Sequence, residues 1–221
     1  MNVRGRVALE LLTLAILTVS FLLVFPRRPL VVDVALALGA LVLLGLNARY
    51  TRAVIWARFP ARPSSGGSRQ CMSTTIAVTL AAVVVCLVVG IVIGYSNGGW
   101  EAVVDRVLNW KLLVAICVYL PWALLQQTLF QFYLLGRLRA LFPTVHPIGA
   151  ATLNGVAYAL VHLPDLWVTL VTAFGGIFWS YMYNQYRLLL PLALSHAVLG
   201  STFYYWVYGR DLAEAWSELL N

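Results

Sequence analysis

Leu125-Gln126-Gln127-Thr128-Leu129-Phe130-Gln131 lies in the middle of an apolar run that extends from Leu112 to Leu135. Three glutamines so close together are costly to bury in hydrocarbon. A polar side chain at membrane depth persists only where the protein interior satisfies it. The stretch therefore reads as a membrane helix whose polar face looks into the protein or a wet cavity, not into lipid. Gln127 and Gln131 are four apart and share a face, whereas Gln126 is rotated from Gln127 by about 100°. The two adjacent amides point in different directions, one into a cavity and the other toward a neighbouring helix.

The surrounding chain fits that reading. Of 221 residues, 62% are hydrophobic and 10% charged, against roughly a quarter charged in an average globular protein. Spans of about 20 residues fit into such a chain several times. The net charge of +7 does not indicate nucleic acid as a partner. The basic residues sit at the ends of apolar runs, as orientation signals do. Lys111 is the one lysine; the other basic residues are arginines. Cys71, Cys86 and Cys117 have no metal or redox spacing and read as small hydrophobes.

Apolar runs predict helices over 7–25, 30–48, 72–95, 110–135, 147–163, 166–184 and 187–208. The expected fold is an all-α polytopic membrane bundle of about seven spans, whose last four form a core. Arg4 and Arg6 precede a long first run that ends in Phe25-Pro26-Arg27-Arg28, which reads as an uncleaved span. Residues 49–71 form a basic loop, polar and flexible between Arg58 and Arg69. Placing that loop in the cytoplasm puts the N-terminus inside as well, in what is expected to be a bacterial cell membrane. Residues 1–109 thus carry the N-terminal helices, 110–208 the core and 209–221 an acidic tail. Within 97–109 a short interfacial helix and a solvated loop are both open.

Four helices carry polar residues that apolar packing does not explain. Asn154, Tyr158 and His162 are spaced four apart and make one stripe. Ser195-His196 places a second histidine at membrane depth. Tyr181, Tyr183, Asn184 and Gln185 gather at one helix end and suit a headgroup region. Gly175-Gly176 permits close helix contact. His146 falls in a loop and is given no role. Gln126, Gln127, Gln131, Asn154, Tyr158, His162 and His196 are the expected cavity lining.

Familiar intramembrane chemistries can be tried against these residues. A His-Glu-x-x-His zinc site needs two histidines one turn apart, and the sequence has none. Ser195 adjoins His196, so the two side chains diverge. Asp33 and Asp165 do not form a membrane-embedded pair. No metal and no cofactor is expected.

Three motifs resemble the CAAX-protease and bacteriocin-processing family, also called CPBP or Abi, which are glutamic-type intramembrane endopeptidases. The family pattern is Glu-Glu-x-x-x-Arg, then Phe-x-x-x-His, then His-x-x-x-Asn. Here Gln126-Gln127-Thr128-Leu129-Phe130-Gln131, Tyr158-Ala159-Leu160-Val161-His162 and His196-Ala197-Val198-Leu199-Gly200 stand in that order. The resemblance implies, for active members, a glutamate that takes a proton from water with one histidine's help. The second histidine and the asparagine steady the oxyanion. In this chain both acids are amides, Gln131 stands for the arginine and Gly200 for the asparagine. An amide has no usable proton affinity at neutral pH, so Gln126 is no general base.

These departures favour a non-catalytic member that keeps the fold. It would bind a membrane helix, a lipidated peptide or a lipid. One alternative is a divergent endopeptidase with His162 or His196 as base. Another is a small transporter or metal-handling protein, for which two histidines make a poor ligand set.

Overall fold

The computed structural model describes residues 3–24, 35–36, 38–46 and 65–209. Among these no strand occurs, and the elements are helices throughout. Helix α1 is Val3–Val24, α2 is Ser65–Val107, α3 is Lys111–Gln127, α4 is Leu135–Leu141, α5 is Pro147–Leu160, α6 is Leu166–Tyr186 and α7 is Leu190–Thr202. Two π-helical segments, Thr128–Leu134 and Phe203–Tyr208, continue α3 and α7. Residues 38–46 are also helical. Residues 49–64 of the expected basic loop, parts of the expected 30–48 helix (30–34, 37 and 47–48) and the acidic tail from Arg210 lie outside the described residues. The rest of that loop, from Ser65, is helical.

Three helical stretches are long and apolar enough to cross a membrane: Gly66–Val107, Lys111–Leu141 and Leu166–Tyr186. Their apolar side chains face outward. On α2, Ile76, Leu80, Val84, Val88 and Val92 are all exposed. They form a stripe with a four-residue repeat, the arrangement that lipid stabilises and water does not. Helix α5, of 14 residues, is shorter than the roughly 20 residues of a full span, whereas α7 runs on through its π-helical continuation to Tyr208.

The chain divides into two compact units. One comprises Met1–Ser64 with Gln127–Arg187, the other Ser65–Gln126 with Leu188–Asn221. In the first, α5 lies along α6 with their backbones touching at glycines. A Cβ on Gly155 would come within 2.4 Å of the Ile177 amide nitrogen, and one on Gly176 within 3.0 Å of Gly155 Cα. Small residues at such a crossing let two membrane helices share dispersion contacts along their backbones. Asp165 caps α6 by accepting from the Val168 amide at 3.1 Å, and the His146 ring accepts from the Ile148 amide at 3.3 Å at the start of α5. Both satisfy amides that a helix start leaves open.

In the second unit, α2 packs against α7 and the π-helical segment that follows it. Thr79 and Gly90 of α2 lie at this contact, and Cys71 and Thr75 are buried on the same helix. A Cβ on Gly90 would lie 2.8 Å from Trp206 Cβ and 2.9 Å from its carbonyl oxygen, so only glycine admits this approach. The Thr79 and Ser195 hydroxyls, both buried, are hydrogen-bonded at 2.7 Å. Helix α2 breaks at Gly98–Gly99, where Gly99 has φ 68° and ψ −154°, a conformation essentially confined to glycine. Beyond the break residues 100–107 are helical, which decides between the helix and the loop expected for 97–109.

Candidate functional site

The glutamine stretch adopts an unusual backbone. Directly after Gln127 the helix widens into seven π-helical residues, Thr128–Leu134. The Leu135 amide donates to the Phe130 carbonyl, five residues back. Such wide turns are rare, and they concentrate where a helix must re-aim side chains. Gln127, Phe130, Gln131, Tyr133 and Leu135 are all buried around it.

Within the first unit, Gln131 reaches a polar network. Asn154 Nδ2 donates to Gln131 Oε1 at 3.1 Å and to Ser180 Oγ at 2.8 Å. Ser180 in turn donates to the Gly176 carbonyl at 2.5 Å. Gln131, Asn154 and Ser180 are all 0% exposed. The network is neutral throughout. It leaves Gln131 Nε2 and Asn154 Oδ1 without a hydrogen-bond partner among the described residues, one donor and one acceptor of the kind that a buried water bridges. Ser180 was not marked by the sequence, where it is one hydroxyl among aromatic residues.

The second motif keeps its order along α5. Tyr158 is buried between Phe130, at 4.3 Å between ring centroids, and Trp179, at 6.1 Å. Its ring meets the edge of His162 at 5.8 Å. Helix α5 ends at Leu160, so His162 sits in the following turn, its amide donating to the Ala159 carbonyl at 2.9 Å. The early end agrees with Pro164, which disfavours helix at the residue before it.

Within the second unit, His196 is buried on α7. Its Nε2 lies 3.3 Å from the Tyr119 hydroxyl, and the two rings meet edge to face at 5.5 Å. The same hydroxyl donates to Gln126 Oε1 at 3.5 Å. Gln126 and Tyr119 are seven apart, two helical turns. Gly200 makes this possible: a Cβ there would lie 2.9 Å from Tyr119 Cε1. The position aligned with the family's asparagine is thus filled by the ring of Tyr119, and the tyrosine engages the histidine. Neither partner alone reveals this in the sequence. Gln126 meets Tyr119 of its own helix rather than a neighbouring one, and Gln127 is buried.

Another polar contact in the first unit was not anticipated. Arg137, buried on α4, holds Glu10 of α1 through Nε and Nη2, each at 3.0 Å from Oε1. The Tyr133 hydroxyl donates to the same carboxylate oxygen, and the Arg137 guanidinium lies over the Tyr133 ring at 5.3 Å. Glu10 was legible in principle as the single acid in a long apolar run, since an ionisable group there usually has a partner. It is no substitute for the missing acids. Its partners follow Gln127 by six and ten residues, well along the helix from the glutamine pair. Among the described residues, no three histidine, cysteine or acidic side chains group as metal ligands.

Long apolar helices with buried polar contacts define a helical membrane protein. Residues 108–202 match the family model described as Rce1-like, type II CAAX prenyl endopeptidase Rce1-like. The CPBP resemblance read from the three motifs is thereby shown over this segment, which contains all of them. Comparison with curated proteins and with solved structures gives no match.

Proposed function

We propose that the protein is a non-catalytic membrane member of the CPBP type that binds a membrane helix, a lipidated peptide or a lipid. Gln126, Gln127, Gln131, Asn154 and Tyr158 are its proposed binding residues. The observation that carries this reading is the Gln131–Asn154–Ser180 network. A site built around an acid and an arginine cannot lose one charge cheaply, because the other is left buried and uncompensated. Amides at both Gln127 and Gln131 remove the problem as a unit and leave hydrogen-bonding groups in place. The Tyr119 contact on His196 points the same way, since it occupies the imidazole with a neutral partner.

The family description names prenyl endopeptidases, so prenylated peptides are the first ligands to try. A second reading keeps hydrolysis, with His162 or His196 as base. The family description, which names endopeptidases, is the observation in its favour. Removing a general base typically costs a factor of about 10²–10⁴, so a histidine route would be slow.

The test is a cleavage and binding assay in bilayers with a panel of prenylated and helical peptides. Wild type, His162→Ala and Gln126→Glu with Gln127→Glu are compared. The proposal expects binding without cleavage in wild type. Cleavage by wild type that disappears in His162→Ala would replace it with the hydrolytic reading. Cleavage gained only by the double glutamate variant would show that the base alone is missing.

A further inference from the structure

The far end of α2, in the second unit, presents an exposed apolar face. After the break at Gly98–Gly99 the chain folds back on the helix it has just left. A Cβ on Gly94 would lie 3.1 Å from Val103 Cα, and one on Gly98 would lie 3.0 Å from Ala102 Cβ. Val103 is buried there. On the same side Arg106 lays its guanidinium against Gly209, whose missing side chain leaves the room. Leu108 continues the turn, its amide donating to the Val104 carbonyl at 2.9 Å.

These contacts fix how residues 100–108 are rotated. At about 100° per residue, the side chains fall into three sectors. Ala102, Val103 and Arg106 face the protein. Trp100, Val104 and Leu108, four apart, form an apolar edge that is 68%, 49% and 75% exposed. Glu101 and Asp105, also exposed, occupy the sector beyond that edge. Trp110 follows and is 71% exposed. Two tryptophans, a valine and a leucine side by side make a face that water disfavours. The edge continues a surface that lipid already covers. The outward stripe of α2 from Ile76 to Val92 leads to Tyr95, itself exposed, and the Tyr95 ring meets Trp100 edge to face at 5.5 Å. Tyrosine and tryptophan gather at headgroup level, where one part of the ring system is dry and the other wet.

We infer that residues 100–110 lie along the headgroup layer of the bilayer, with Trp100, Val104, Leu108 and Trp110 dipped into lipid and Glu101 and Asp105 turned to water. The three sectors match the three surroundings such a helix meets: protein on one side, lipid below and water above. The water-facing sector is acidic, so the attraction is burial of apolar surface and not charge on the headgroups. The anchor also sets where α3 enters the membrane. Asn109 Oδ1 accepts from the Lys111 amide at 3.0 Å at the start of that helix, which leaves no slack between the two. None of the proposed binding residues is used, so failure here leaves that reading untouched.

The full chain is reconstituted in phosphatidylcholine vesicles. In a background of Cys71→Ala, Cys86→Ala and Cys117→Ala, a nitroxide is attached at Val104→Cys or at Asp105→Cys. Its collisions with oxygen, which partitions into lipid, are compared with those of a water-soluble nickel chelate. The oxygen-to-nickel ratio should be several-fold higher at Val104 than at its neighbour Asp105. Two low ratios mean a solvated helix and overturn the inference; two high ratios mean a buried one and overturn the surface position. A Val104 site shielded from both reagents means a protein cover, such as a second copy, and overturns lipid as the occupant. Exchanging part of the phosphatidylcholine for phosphatidylglycerol leaves the Val104 ratio unchanged, and a rise would replace apolar burial by headgroup charge. A second measurement keeps the native cysteines and decides the matter if the substituted background does not fold. Lipids brominated near the headgroup quench tryptophan fluorescence of the wild type, and Trp100→Phe with Trp110→Phe loses part of that quenching while retaining quenching by lipids brominated near the chain ends. Headgroup-level quenching that stays the same overturns the inference.

Discussion

Asn154 illustrates how one residue organises a neutral site. Both of its amide hydrogens are used, one on Gln131 and one on Ser180. Interhelical hydrogen bonds in membrane proteins average about 0.6 kcal/mol. Asn154→Ala breaks two bonds at a site that is 0% exposed, and stranded buried groups cost about 1–3 kcal/mol. The expected loss is within that range, measured by unfolding in detergent. Gly200→Asn restores the family's residue but meets the Tyr119 ring, at 2.9 Å already for its Cβ. Overpacking of this kind costs typically about 1–3 kcal/mol. Combining it with Tyr119→Ala should recover most of that loss; a double variant no more stable than Gly200→Asn alone would mean that the Tyr119 ring does not fill the space beside Gly200.

Among the described residues, elements meet through small residues and the Arg137–Glu10 ion pair. Gly155→Ala places a methyl 2.4 Å from a backbone nitrogen of α6, and no side-chain rotation relieves it. The α5–α6 pair must separate, so Gly155→Ala should destabilise more than Gly175→Ala, whose nearest neighbour is the movable Trp179 ring at 3.1 Å. Comparing the two thermal midpoints checks this. The α1–α4 contact rests on Arg137 and Glu10. Removing one member of a buried pair costs about 3–5 kcal/mol. Glu10 is 29% exposed, so Glu10→Gln should fall at or below the low end. Arg137→Met with Glu10→Leu should be milder than either single change, and a double-mutant cycle without coupling would remove the pair from the account.

At the scale of the whole molecule, the chain places its apolar residues outward along its longest helices. It should therefore stay with the membrane fraction through an alkaline carbonate wash and need detergent for release. The arginine distribution predicts an inside N-terminus, checked by labelling a cysteine introduced at Asn2 from either side of the membrane. Labelling from outside alone would reverse that orientation.

Membrane class, the positions of most described helices and the order of the three motifs were all legible in the sequence. Hydrocarbon imposes them residue by residue: apolar runs must be long, and polar groups within them must turn inward. Partners were not legible. That Asn154 binds Ser180, that Tyr119 fills the space left by Gly200, and that Glu10 meets Arg137 across more than a hundred residues depend on which helices lie side by side. The π-helical turn after Gln127 was hidden too, since no residue in it marks it in the sequence. Tertiary structure decided these, since hydrogen bonds and close packing are properties of pairs, while the sequence alone specifies each partner's chemistry.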